Sequence, residues 1–244
     1  MIAIKGDQRA EGVIEWVMGA GVQGQTPLVR TGTGVAESRV SYFTRLQQYG
    51  VTIGQKPGAS TSPEAALGLH QNQTNQKSCL NCHATAITED LDPVVPGIQC
   101  VRCHPGANEH AADPRQRPLN PGKLNAEAQV RFCGNCHRVV SPGQETDPDN
   151  VRFQPLRLMK SRCFESANLG CLTCHGAHQD ARRSDAAYYN DKCLSCHAAN
   201  PAHVDARQKG NCIECHMARV SLHPALSFTD HFIRKSRIIT RHIK

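Results

Sequence analysis

A five-residue unit that recurs six times constrains this chain more than anything else in it. In order it reads Cys79-Leu-Asn-Cys82-His83, Cys100-Val-Arg-Cys103-His104, Cys133-Gly-Asn-Cys136-His137, Cys171-Leu-Thr-Cys174-His175, Cys193-Leu-Ser-Cys196-His197 and Cys212-Ile-Glu-Cys215-His216. Twelve of the 13 cysteines fall in it. Disulfide frameworks belong to small secreted domains, whereas this chain has 244 residues and a regular cysteine pattern. Paired C-x-x-C knuckles also build Cys₄ zinc sites, but zinc asks for no histidine at the next position. With 13 histidines in 244 residues, six hits in six arise by chance on the order of 10⁻⁸ of the time, and the motif's meaning is c-type haem attachment. Thioredoxin-like pairs share C-x-x-C, but not in six copies.

The spacing has a mechanical reason. Two thiols three residues apart can both reach the edge of one porphyrin and form thioethers with its vinyl groups. The adjacent imidazole then turns under the ring to bind iron. The cofactor expectation is therefore six haem c, with proximal iron ligands His83, His104, His137, His175, His197 and His216.

Seven histidines remain for the distal faces: His70, His110, His178, His203, His223, His231 and His242. Seven for six irons approaches full bis-histidine ligation. His178 is too near His175 to reach the opposite face of the same ring, so it is expected to cap a neighbouring haem. The alternative for each is a surface histidine or one bonded to a propionate. Met1, Met18, Met159 and Met217 are the only methionines that could replace one, Met159 standing in a short helix.

The motifs run from residue 79 to 216, about 23 residues per haem. That is too little chain to wrap each ring alone, so the haems are expected to touch. Motif starts lie 21, 33, 38, 22 and 19 residues apart, which suggests close pairs 1–2, 4–5 and 5–6. Aromatics are only 5% of the chain, so a protein-only core would be thin. The formal charge of +7 must be recounted with the cofactors, whose propionates and iron shift it to roughly +1 oxidised or −5 reduced. The basicity then reads as propionate neutralisation, with Arg102, Arg138, Arg182 and Arg183 beside motifs, and not as nucleic-acid binding.

Residues 1–61 hold no motif and read as a small β-rich segment; 62–231 as a hexahaem domain, mainly α with much loop around stacked haem pairs; 232–244 as a basic tail. Val13–Met18 and Arg39–Thr44 look like strands between glycine turns. Gly19-Ala-Gly-Val-Gln-Gly24 matches G-x-G-x-x-G, but Pro27 and Thr31-Gly-Thr-Gly34 follow where a nucleotide fold needs a helix. Ser62-Pro63-Glu64 starts a helix that would carry Ala65, Leu67 and Leu69 toward His70. Residues 105–122 are proline-rich and irregular; Asn125–Phe132 and Ser184–Lys192 are short helices entering motifs. Cys163 is expected buried and inert. No run of 18 apolar residues marks a transmembrane helix, and Met1–Arg9 shows no signal peptide. The tail carries five basic residues among thirteen, together with His242, and suggests self-assembly on a neighbouring protomer.

At this point the residues resemble a known group, the bacterial multihaem c-type cytochromes related to the tetrahaem cytochrome of ammonia oxidisers and often joined to tetratricopeptide repeats. The matching pieces are Cys79–Thr85, Gly97–His110, Leu172–His178, Cys212–Met217 with Phe228–His231, and the strand-turn segment Trp16–Leu28. The resemblance implies His110, His178 and His231 as distal ligands, and a chain matured in the periplasm or outside the cell. Three functions follow. The first is an electron carrier serving redox partner proteins, no enzyme, with filament formation as its extension. The second is an oxidoreductase of the nitrite or hydroxylamine type, which needs one open iron. The third is a docking module in a respiratory complex.

Overall fold

The computed structural model of the chain describes residues 1–138, 148–198 and 210–235. These fall into two compact units: Met1–Arg102 with His223–Leu226, and Cys103–Leu222 with Ser227–Lys244.

Unit 1 is built on antiparallel strands. A hairpin joins β1 (Ile2–Lys5) to β2 (Gln8–Glu11). A six-stranded sheet follows, from β3 (Val13–Met18), β4 (Gly24–Thr31), β5 (Gly34–Ser38), β6 (Val40–Phe43), β7 (Gln48–Val51) and β8 (Gly68–His70). β4 is its organiser. It pairs with β3 through Val13↔Arg30 to Met18↔Thr26, with β6 at Gly24–Gln25, and with β5 at Leu28–Thr31. Successive residues of a strand face opposite sides, and Leu28 and Val29 are both buried, Val29 completely, so both faces of β4 are covered. Burying such a side chain stabilises by about 1.5–3 kcal/mol. Under the sheet a relay of hydroxyls satisfies itself: Thr26 to Ser41 at 2.7 Å, Ser41 to Thr52 at 2.7 Å, and Thr52 donating to the Ser38 carbonyl at 2.6 Å.

The helix start at Ser62 forms as expected. Ser62 accepts from the Ala65 amide, Pro63 opens α1 (Pro63–Leu67), and Leu67 is buried. The helix does not continue to Leu69. Gly68 takes φ +151 and turns the chain into β8, where Ala36 pairs with His70. A Cβ at Gly68 would strike the Glu37 carbonyl and the Ser38 Cα. Gly68→Ala is therefore expected to cost about 1–3 kcal/mol through backbone strain and lost β5–β8 pairing; an unchanged denaturant midpoint would contradict this placement. After β8 come α2 (Gln73–His83), the hairpin β9 (Ala84–Ile87) and β10 (Pro93–Pro96), and α3 (Cys100–Cys103) at the boundary.

Unit 2 is largely helical: α4 (Ala107–Ala112), α5 (Ala126–His137), α6 (Gln154–Met159), α7 (Arg162–Ala167), α8 (Cys171–Cys174), α9 (Ala186–His197) and α10 (Cys212–His216). A hairpin of β11 (Arg219–His223) and β12 (Leu226–Thr229) follows in the chain, its turn His223–Leu226 counted with unit 1. Asn125 and Asp185 cap α5 and α9 by accepting from Ala128 and Tyr188 amides. Ala126, Val130, Val151, Pro155, Leu156 and Leu158 are buried around α5 and α6.

The expectation of a mainly α fold is corrected. The described residues are about 36% helical and 26% strand, with several antiparallel sheets. Short hairpins supply the difference. Arg219–His223 alternates exposed and half-buried residue by residue, the period-2 signature of a strand. The proline-rich stretch after His104 also holds α4, opened by Gly106 at φ +87.

Candidate haem sites

Each motif lies on a helix, and that explains its spacing in three dimensions. Motifs 1, 3, 5 and 6 form the C-terminal turns of α2, α5, α9 and α10; α3 and α8 hold the cysteines of motifs 2 and 4. On a helix, positions i, i+3 and i+4 share one face. Both thiols and the imidazole of a motif ending such a helix therefore project together.

A porphyrin brings four nitrogens of its own, so it asks the chain for two sulfurs and one or two imidazoles. The donor set fits that demand. None of the thirteen cysteines is fully buried. Among the described residues no three His, Cys, Asp or Glu side chains gather where they could hold a bare metal ion, so a Cys₄ zinc site does not form there. The protein interior is also sparse. Only fourteen apolar side chains besides prolines are buried among the described residues.

Two imidazole pairs stand at a particular separation. His104 and His178 have ring centres 6.0 Å apart with planes 23° from parallel; His175 and His231 are 6.1 Å apart at 28°. A first-row metal binds imidazole nitrogen at about 2 Å, so two axial imidazoles put their ring centres about 6 Å apart with the ion between. Both pairs match.

The hydrogen bonds agree. His104 Nδ1 meets the Leu119 carbonyl at 2.9 Å, His110 Nδ1 the Gln116 carbonyl at 2.6 Å, His216 Nδ1 the Arg234 carbonyl at 2.8 Å and His231 Nδ1 the Thr229 carbonyl at 3.0 Å. A carbonyl on Nδ1 fixes the tautomer that leaves Nε2 with its lone pair for a metal. His70 and His223 differ. His70 directs Nε2 to the Thr33 carbonyl at 3.1 Å, and His223 accepts the Ala225 amide at Nδ1, leaving the proton on Nε2. His197 is exposed at the end of α9. His203 and His242 lie outside the described residues, as does the tail from 236.

Motifs also meet one another. The Cys133 and Cys171 thiols are hydrogen-bonded, and sharing that proton lowers Cys133 and raises Cys171. Cys193 and Cys212 are likewise in contact, and burial pushes the Cys193 thiol up to about 11. Motifs 3 and 4, and 5 and 6, thus adjoin. In unit 1 Arg102 donates to the backbone and side-chain oxygens of Asn81, at 2.7 and 2.9 Å, tying motif 2 to motif 1. Of the other arginines placed near propionates, Arg138 lies over Phe153, Arg182 lies over Tyr188, and Arg183 bonds the Ala181 carbonyl. Cys163 is half-buried, not buried.

The sequence did not reveal a buried clamp beside His231. Arg157 grips Asp230 with Nε–Oδ1 at 2.8 Å and Nη2–Oδ2 at 2.6 Å, their side chains 7% and 2% exposed. Arg234 and the Phe232 amide also donate to Asp230, each at 3.0 Å, while Ser161 donates to the His231 carbonyl at 3.1 Å. Burial alone would raise the Asp230 carboxyl, but these donors outweigh it and hold it below the usual range. Burial pushes the His231 imidazole down to about 4, so it is neutral and able to act as a ligand near neutral pH.

In unit 1 a cavity of about 300 Å³ opens against motif 1, with Cys82 and His83 in its wall. Trp16, Met18, Leu80 and Ile98 make much of the rest, an apolar lining suited to a porphyrin face.

Residues 69–146, 78 of the 244, match the model of the cytochrome c3 family. The matched stretch holds motifs 1 to 3 together with His70 and His110. No curated protein and no solved structure matches the chain. The family match supports a multihaem c-type cytochrome that binds haem c with its iron and takes part in electron transport. No helix among the described residues is long and apolar enough to cross a membrane.

Proposed function

We propose that the chain is an electron carrier with six covalent haems, most or all bound by two histidines, forming a continuous conduit between redox partner proteins in the periplasm or outside the cell. The observation that carries this reading is the spacing of His104 with His178 and of His175 with His231. An iron held on both faces passes electrons but offers substrate no open position. What each haem supplies when bound is a one-electron couple. The chain's own residues set orientation through the Nδ1 hydrogen bonds, and exposure through the sparse apolar cover.

Haem attachment belongs to Cys79 and Cys82, Cys100 and Cys103, Cys133 and Cys136, Cys171 and Cys174, Cys193 and Cys196, and Cys212 and Cys215. The contacts between motifs 3 and 4 and between 5 and 6 favour short edge-to-edge steps along the conduit. Kinship with the tetrahaem cytochromes of ammonia oxidisers, the division at residues 61 and 231, and filament assembly through the tail belong to the same proposal.

Mass spectrometry of the holoprotein should show six added haems, and paramagnetic resonance of the oxidised form only low-spin ferric signals. A high-spin haem that takes up a small ligand would overturn the carrier in favour of the oxidoreductase.

A further inference from the structure

We infer that the iron of the haem attached at Cys79 and Cys82 is bound on its distal face by the Met18 sulfur. The inference rests on the haem assignment above. The cavity beside motif 1 is the place to look for that iron's sixth ligand, because Cys82 and His83 both line it. Of the twelve residues around it, three have side chains that bind iron: Cys82, committed to its thioether, His83 on the proximal side, and Met18. Among the described residues no distal histidine candidate lines it. His70, nearest in sequence, holds the Thr33 carbonyl through the nitrogen that would bind metal, and His223 has its proton on that nitrogen.

Met18 is placed there by the strand. Trp16 and Met18 sit two residues apart on β3, so they share a face, and both are half-buried. Their cross-strand partners are Leu28 and Thr26, which fixes the register. Gly19 at φ +108 ends the strand immediately afterwards, and Gly19 and Ala20 close the cavity wall without bulk. A thioether is a soft neutral donor suited to haem iron in an apolar lining. Histidine–methionine ligation raises the reduction potential above that of bis-histidine haems. The motif 1 haem would then be the most oxidising member of the array, the place where electrons collect.

The test uses the full holoprotein. The ferric wild type should show the long-wavelength sulfur-to-iron charge-transfer band of methionine ligation, and reductive titration should resolve one haem at a higher potential than the rest. Met18→Leu conserves volume and should abolish the band while retaining six haems by mass; Met18→His should abolish it and move that haem's potential down. If Met18→Leu leaves the ferric spectrum and the titration unchanged, Met18 is not the ligand. Should the wild type then be wholly low-spin, the carrier reading stands without this inference. Should it carry a high-spin haem, both are overturned.

Discussion

Replacing Arg157 with alanine is expected to destabilise unit 2 by about 3–5 kcal/mol, because it strands a carboxylate that is already out of water. For a chain of this size that corresponds to a fall in Tm of roughly 6–20 °C. The geometry is specific: two parallel donor–acceptor contacts at 2.8 and 2.6 Å, with Asp230 2% exposed. Arg234 also reaches Asp230 but is 40% exposed and cannot replace the fork. Asp230→Asn should cost a similar amount by leaving the guanidinium unpaired. Removing both charges as Arg157→Met with Asp230→Leu should recover much of the loss, since buried pairs are often exchangeable for apolar packing. The sign with pH follows from the carboxyl's lowered value. Its contribution is complete above about pH 4 and fades as pH falls through the folded-state value, so wild type and Asp230→Asn should converge in acid. Denaturant midpoints across pH measure this. Equal stability of wild type and Arg157→Ala at neutral pH would mean the clamp does not hold the segment that carries His231.

His178→Ala is expected to convert one haem of the ferric protein to high spin and to create one carbon monoxide site per chain where the wild type has none. The reason is distance: at 6.0 Å between ring centres, His178 is the imidazole facing His104. Added imidazole should restore the low-spin signal. On the proposed ligation His231→Ala should open a different iron, the one assigned to His175, and the double variant two. A fully low-spin His178→Ala protein would place that ligand elsewhere. The two variants also separate local from global effects, because His178 lies outside the Asp230 clamp.

The multihaem cytochrome class was legible because its C-x-x-C-H motif is written in contiguous residues. Helix starts were legible for the same reason: Ser62, Asn125 and Asp185 each act within three positions of themselves. Long-range pairing was not. His104 and His178 are 74 positions apart, and Arg157 and Asp230 are 73 apart, with no local pattern to announce either. Gap length misled in one place: the longest interval, 38 residues, separates motifs whose Cys133 and Cys171 touch. The strand content was underread because four-residue hairpins such as β9–β10, with prolines at both ends of β10, carry a weak signal. Arg219-Val-Ser-Leu-His223 did carry a readable alternation.

The sparse interior has a consequence for biogenesis. A polypeptide that buries so few of its own apolar groups gains too little from collapse to offset the entropy of ordering its backbone. If the motifs carry haem as proposed, maturation is expected to run in one order: thioether formation on an open, largely extended strand first, and folding around the newly installed rings afterwards. Under that proposal the sulfurs are met in their linear succession, and the finished architecture is a product of attachment, not its template.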